Sequence, residues 1–288
     1  MSTKHPGSIL RSKLAQGTVI CPGAFSPLVA RAAAQVGFDA CYISGGATSN
    51  MSGYPDVGIL TLTEICRTIR ETVDACGLPV IVDADTGFGE IESVVRTVVA
   101  YDRAGAAGLH LEDQVFPKRC GHLDGKQLVP TQEMADKVRA ACKHRPSSDL
   151  IVIARTDARG VDGIKAAIER GNAYREAGAD MIFPEGLQSK EEFQLFSSQC
   201  PGLLLANMTE FGKTPEIKAH SFEEMGYDLV IYPVSMLRLA MAHVMRGLEK
   251  LHKEGTVSGL VDEMLTRSDL YDLLGYDPQK PWMFDRPQ

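Results

Sequence analysis

Apolar and polar positions along the chain repeat one unit. A stretch with apolar residues at helical spacing ends near a glycine and gives way to a short run rich in Val, Ile and Leu. The junctions resemble one another, as in Gln35-Val-Gly-Phe-Asp39, Arg103-Ala-Gly-Ala-Ala107, Glu176-Ala-Gly-Ala-Asp180 and Glu224-Met-Gly-Tyr-Asp228. Gly37, Gly105, Gly178 and Gly226 are therefore predicted helix stops, because glycine enters the left-handed conformation that closes a helix without a Cβ penalty. The apolar runs predict eight strands, at 18–21, 40–44, 80–83, 108–112, 150–155, 181–184, 203–207 and 229–232. Such continuously apolar strands belong in a parallel sheet covered on both faces. Eight strand–helix units in 288 residues predict an α/β chain closed into a (β/α)8 TIM barrel. An open doubly wound sheet is the other arrangement, but Cys21-Pro-Gly-Ala-Phe25 after the first strand is not a dinucleotide-binding turn. Residues 1–288 read as one domain, with 236–288 as a C-terminal helical segment. Leu239, Ala240, Val244, Leu248 and Leu251 give that segment more apolar surface than capping a monomer requires, and 277–288 is polar and Pro-rich.

Polarity returns at the carboxyl ends of the strands, the face of a barrel that carries active sites. Asp83, Asp85 and Glu112 offer hard oxygen ligands suited to Mg2+, or to Mn2+, and the two-residue period of a strand lets Asp83 and Asp85 face the same side. N-capping of the next helix would use one of these carboxylates, not all three. Arg155 and Arg238 carry guanidinium forks that can grip a carboxylate in two bonds, the simpler reading being an exposed arginine. The amides of Gly45 and Gly46 and the side chains of Asn207 and Thr209 add directional bonds, which together indicate a polycarboxylate ligand. Lys118-Arg119-Cys120-Gly121-His122 sets a thiol among cationic neighbours, which would lower its pKa towards neutrality. A metal beside an acid suits carbon–carbon cleavage of a hydroxy polycarboxylic acid. Cys120 is then the general acid, Lys118 and His122 tune it, and Tyr42 or Asp56 is the base. His110, inside a buried strand, reads as a core histidine.

Composition narrows the classes. With 44% hydrophobic and 23% charged residues, a net charge of -7 and a pI near 5.5, the chain has no electrostatic footprint for nucleic acid or an anionic membrane. Its seven scattered cysteines lack CxxC pairs, which fits reduced thiols in the cytoplasm. Residues 1–14 contain no apolar run of the kind a secretory signal needs, and the apolar stretch 229–244 is broken by Pro233, Ser235, Arg238 and His243.

KRCGH, with DADTGFG before it and ARTDA, FPEG and ANMTEFGKTP after it, resembles the isocitrate lyase and phosphoenolpyruvate mutase superfamily, and within it the branch that cleaves 2-methylisocitrate. The resemblance runs from about residue 6 to residue 271. It implies a barrel whose last helix is exchanged between neighbours, a homotetramer, Mg2+ at the barrel mouth, and cleavage of (2S,3R)-2-methylisocitrate to pyruvate and succinate in propionate breakdown. It places metal carboxylates on Asp83 and Asp85, with Glu112 close by. Substrate contacts fall on Ser44, Gly45, Gly46, Cys120, Gly121, Arg155, Glu185, Asn207, Met208, Thr209, Arg238 and Arg267. It also implies a mobile cysteine loop. Leu123-Asp124-Gly125-Lys126 departs from the Arg-Pro that often follows this loop, so isocitrate and 2,3-dimethylmalate stay open as substrates. A keto-acid hydrolase or decarboxylase, acting for example on oxaloacetate, is the remaining alternative.

Overall fold

A computed structural model describes residues 4–281. Its eight strands are β1 (Val19–Pro22), β2 (Cys41–Ile43), β3 (Val80–Asp83), β4 (Gly108–Glu112), β5 (Ile151–Thr156), β6 (Met181–Pro184), β7 (Leu205–Asn207) and β8 (Leu229–Tyr232). Eleven helices accompany them among the described residues: α1 (Pro6–Leu14), α2 (Pro27–Val36), α3 (Gly45–Met51), α4 (Leu62–Cys76), α5 (Ile91–Ala104), α6 (Thr131–His144), α7 (Ile164–Glu176), α8 (Lys190–Gln199), α9 (Ala219–Glu224), α10 (Ser235–Glu254) and α11 (Arg267–Leu274). All strand pairs are parallel. β2 to β6 form one run and β7-β8-β1 another. Bridges between Gly23 and Tyr42 and between Ile182 and Leu204 join the two runs, so the sheet closes into the expected barrel.

Side-chain alternation explains both cores. Ile81, Ile151, Ile153, Met181, Phe183, Leu205, Leu229 and Ile231 fill the interior with Tyr42, while Leu10 and Leu14 of α1 join the same cluster. Their neighbours Val80, Val82, Leu109, Leu111, Val152, Ala154, Ile182, Ala206 and Val230 face the helices instead. Asp83, Glu112, Arg155, Glu185 and Asn207 continue the inward series, so the strand period itself carries these polar groups to one mouth.

The glycine stops fall as expected. Gly37 and Gly105 cap α2 and α5 at φ 101° and 96°, and Gly178 and Gly226 follow α7 and α9 at positive φ. β7 begins two residues later than the sequence indicates, with Leu204 making only an isolated bridge to Ile182. In the tail, α10 holds an exposed apolar row of Leu239, Val244, Leu248 and Leu251. Of the Pro-rich end expected at 277–288, residues 282–288 lie outside the described residues. No helix among the described residues is long and apolar enough to cross a membrane.

Candidate active site

A cavity of about 160 Å3 opens at the carboxyl mouth of the barrel. Tyr42, Ser44, Gly46, Asp56, Asp83, Lys118, Cys120, Gly121, His122, Arg155, Glu185, Asn207, Thr209 and Arg238 all line it. Residues separated by almost two hundred positions meet here because they stand on the strands near this mouth, in the segments that follow or, for Arg238, on the first turn of α10.

On the β2–β3 side, the backbone turns tightly against carboxylates. Gly45 N donates to Asp83 Oδ2 at 3.1 Å, and a Cβ on Gly45 would lie 2.9 Å from that oxygen. One on Gly46 would lie 3.1 Å from Asp56 Oδ2. Ser44 Oγ is committed to capping α3, accepting from Ala47 N at 3.2 Å. Lys118, 3% exposed, reaches in from the cysteine loop to pair with Asp85 at 2.8 Å and with Asp56.

On the β5–β7 side, Arg155 is engaged on several fronts. Asp157 takes its Nε and Nη2 at 2.9 and 3.1 Å, Glu112 lies 3.2 Å from Nη1, and Glu185 lies 3.6 Å from Nη2. Glu185 accepts from Asn207 Nδ2 at 3.0 Å and faces His122 Nε2 at 3.2 Å. His122 Nδ1 accepts from Lys213 N at 3.0 Å, which assigns the ring proton to Nε2, facing Glu185. The Gly121 position is as crowded: a Cβ there would meet Glu185 Cγ at 2.4 Å and Arg155 Nη2 at 2.5 Å.

Charge is distributed unequally among the carboxylates. Burial works against the charge on Asp83, but His110, Lys118 and Arg155 outweigh it and hold this group down at about 2. Asp85 rises to about 6, first through burial and then through repulsion from Asp83, with Lys118 opposing. Burial pushes Glu112 well above the usual carboxylate range, and Glu185 is held below it because Arg155 and His122 overcome its burial. His110 falls to about 4, since burial disfavours the imidazolium, so the ring is neutral at pH 7. Its Nε2 lies 2.7 Å from the Tyr42 hydroxyl, while Nδ1 has no hydrogen bond. His110 is thus a core residue by position but only half satisfied. Burial likewise lifts the Tyr42 hydroxyl well above its ordinary value.

Several expectations need correction. The cationic neighbours do not depress the Cys120 thiol. Burial raises it, because Lys118 is turned to Asp56 and Asp85, and Arg155 is occupied by carboxylates. Met208 does not face the cavity. Strand alternation turns it outward, where its sulfur accepts from Ile217 N at 3.3 Å. Arg267 heads α11 and lines a different cavity against α2, with Arg31 and Leu28. The three proposed metal ligands do not converge: among the described residues no group of three His, Cys, Asp or Glu side chains is arranged to hold an ion. Glu112 leans on Arg155 and Asp85 on Lys118.

The donor chemistry nevertheless fits a hydrated hard cation. Glu112 Oε1 is buried with no hydrogen-bond partner, while Asp85 Oδ1 and Glu112 Oε2 are engaged only by the Lys118 and Arg155 ion pairs, at 2.8 and 3.2 Å. Mg2+ takes one or two carboxylates and keeps several waters, so it does not require a closed protein cage.

Comparison with known proteins agrees with this geometry. The family model described as phosphoenolpyruvate phosphomutase matches residues 10–252. A Corynebacterium glutamicum protein named probable 2-methylisocitrate lyase 1 is 51% identical over 257 residues, 89% of this chain and 84% of that protein. The chain belongs to the phosphoenolpyruvate mutase and isocitrate lyase family. Among solved structures of this family, a 2,3-dimethylmalate lyase superposes with a TM-score of 0.89 at 38% identity, over 95% of this chain and 92% of that one. A phosphonopyruvate hydrolase, solved with oxalate and Mg2+, gives a TM-score of 0.84 at 29% identity, over 94% and 95%. Members of the family thus include an enzyme that holds Mg2+ beside a small dicarboxylate.

Two side chains at the site carried no recognised signal in the sequence. Lys126, buried at 7% exposure, donates to Gly121 O and to Asp157 Oδ1, tying the cysteine loop to the anchor of Arg155. Asp113 takes Asp157 N at 2.9 Å and the Thr156 hydroxyl at 2.8 Å, fixing that anchor from below. Asp113 stands beside Glu112 in the sequence, but only strand alternation tells which of the two faces the mouth.

Proposed function

We propose that this enzyme cleaves (2S,3R)-2-methylisocitrate to pyruvate and succinate. The observation that supports it most is the placing of a half-buried, protonated Cys120 in one small polar cavity with the carboxylate and hydroxyl groups of β2 and β3. The 51% identity to a protein named for this activity ranks it above 2,3-dimethylmalate, for which the corresponding figure is 44%.

The reading treats the chain as one barrel domain with 236–288 as an extension. Mg2+ is the proposed cofactor, which Asp83, Asp85 and Glu112 would hold, with water completing its shell. When bound, it supplies positive charge against the hydroxy acid and its keto product. The chain's own groups do the rest. Arg155, Asn207 and Arg238 orient the distal carboxylates, with Arg155 exchanging a present partner for substrate. A base, Asp56 or Tyr42, takes the alcohol proton. The carbon–carbon bond then breaks, leaving its electron pair on the succinate fragment, and the Cys120 thiol protonates that carbon. His122, with its proton held towards Glu185, and Gly121, with room for no side chain, shape the loop around the thiol. Asp56 has the better claim as base. The Tyr42 hydroxyl is buried against His110 and raised well above its ordinary value.

The test is release of the 2-oxo acid, pyruvate from 2-methylisocitrate and 2,3-dimethylmalate and glyoxylate from isocitrate, measured with Mg2+ present. The expected result is the highest kcat/KM with 2-methylisocitrate. Preference for another of the three would change the substrate, and cleavage of none with acetate released from oxaloacetate would change the reaction. A homotetramer is also proposed, because the apolar row of α10 has no cover among the described residues. Sedimentation at micromolar concentration should show an oligomer; a monomer would contradict this. The seven cysteines form no disulfide, which suits a reducing compartment such as the cytoplasm.

A further inference from the structure

A second cavity, about 840 Å3, lies outside the substrate pocket, between the segment after α3, the β3–α5 loop and the start of α6. Its walls are largely apolar, with Leu62, Phe88, Phe116 and Leu128 among them. Two cations also line it, Arg96 of α5 and Lys137 of α6. Lys137 is the informative one. It is 5% exposed, yet its ammonium has no hydrogen bond among the described residues. The nearest carboxylates, Glu133 and Glu90, stand 3.8 and 3.9 Å away with side chains 41% and 77% exposed. The stem of Lys137 is buried, but its pairs with Glu90 and Glu133, which also line the cavity, are long and carried by exposed acids, so the ammonium keeps the capacity for a closer acceptor. Arg96 likewise has no carboxylate partner among the described residues.

We propose that this cavity binds an amphipathic anion, a carboxylate or phosphate carrying a short apolar chain, with the anionic head on Lys137 and Arg96 and the chain against Phe88 and Leu128. The volume falls in the range of small-molecule sites, roughly 300–1,000 Å3, and the mix of apolar walls with a few polar groups is typical of them. The inner wall includes Asp85, Thr86 and Phe88, and both Asp85 and Phe88 hold positive φ, at 45° and 59°. An occupant therefore also touches the segment that carries a metal candidate. Any resulting shift in the Mg2+ midpoint rests on the metal assignment above, whereas the binding itself does not.

The experiment is calorimetric titration of the full-length, Mg2+-loaded protein with octanoate, octyl phosphate and 1-octanol. Saturable binding of one anion per chain is expected, with octanol weaker by about tenfold or more, since a charge-assisted hydrogen bond contributes about 1.5–3 kcal/mol. Both anionic probes binding alike would leave head chemistry unselective, as proposed; binding of only one would assign the head. Lys137→Met should weaken binding by about tenfold or more. Thr63→Trp, an exposed position on the first turn of α4, should fill the cavity and abolish binding if Lys137→Met does not fold. Both variants keep their cleavage rate without octanoate. No binding of either anion, equal binding of octanol, or an unchanged affinity in both variants would overturn the proposal.

Discussion

Replacing Cys120 by alanine is expected to lower kcat by about 10²–10⁴, the usual contribution of a general acid, while KM and the melting temperature stay close to those of the parent protein. The expectation follows from where burial leaves the thiol. Desolvation raises it and the carboxylates of Asp56 and Glu185 add to that, while the backbone of His122 and the Arg155 charge pull the other way without prevailing. A thiol held above its ordinary value is fully protonated at neutral pH, which is the state an acid needs at the moment the carbon–carbon bond breaks. Had the cationic neighbours dominated, Cys120 would rest as a thiolate, suited to attack rather than to proton donation. The thiol is only partly exposed and anchors no core cluster, so its removal leaves the barrel intact. Steady-state kinetics on Cys120→Ala checks this, and a fall in kcat of less than about tenfold would remove Cys120 from the acid role.

The second large effect concerns the metal. Chelation by EDTA is expected to reduce pyruvate release to background, with full recovery on adding Mg2+, and Asp85→Asn should not be rescued at any practical Mg2+ concentration. A pH dependence accompanies it. Asp85 in the metal-free fold ionises only near pH 6, against 3.8 for an ordinary aspartate, because burial and Asp83 oppose its charge. Binding the cation therefore displaces a proton below about pH 6, and the apparent Mg2+ affinity should fall by about tenfold per pH unit there and level off above it. The same shift has the opposite sign for metal-free stability. Between pH 3.8 and about 6 the unfolded chain has lost this proton while the folded chain retains it, so raising the pH through that window favours unfolding. Thermal melts with and without Mg2+ across pH 4.5–8 read both effects: the stabilisation by Mg2+ should grow with pH and then level off. A stabilisation independent of pH would place the ion away from Asp85.

The barrel was legible because its signals are local. A glycine at a helix end and a short apolar run are each read within a few positions, and the eightfold recurrence of the runs leaves few architectures. The strand boundaries shifted by only one or two residues, as at the start of β7. The inward-facing site residues were legible for the same reason: strand period alone aims Asp83, Glu112, Arg155 and Asn207 at the mouth. What the sequence hid is the choice of partner. Lys118 is adjacent to the cysteine loop in the chain but spends its charge on Asp56 and Asp85, so proximity to Cys120 gave the wrong sign for the thiol. Met208 sits between two cavity residues yet points the other way, a consequence of alternation in a short strand. Arg267 and the large cavity beside α5 and α6 depend on packing between elements far apart in the chain, which no spacing rule reports.

The most direct measurement of the central claim is the reaction of 2-methylisocitrate with the Mg2+-loaded enzyme in D2O, with the products analysed by NMR. The expected result is pyruvate and succinate in equal amounts, each succinate carrying one deuterium in a single configuration, because the thiol of Cys120 delivers it from one face of the cavity. Succinate deuterated without stereochemical preference would mean that bulk water protonates the fragment. The absence of succinate would mean that this bond is not the one broken, and either finding contradicts the account.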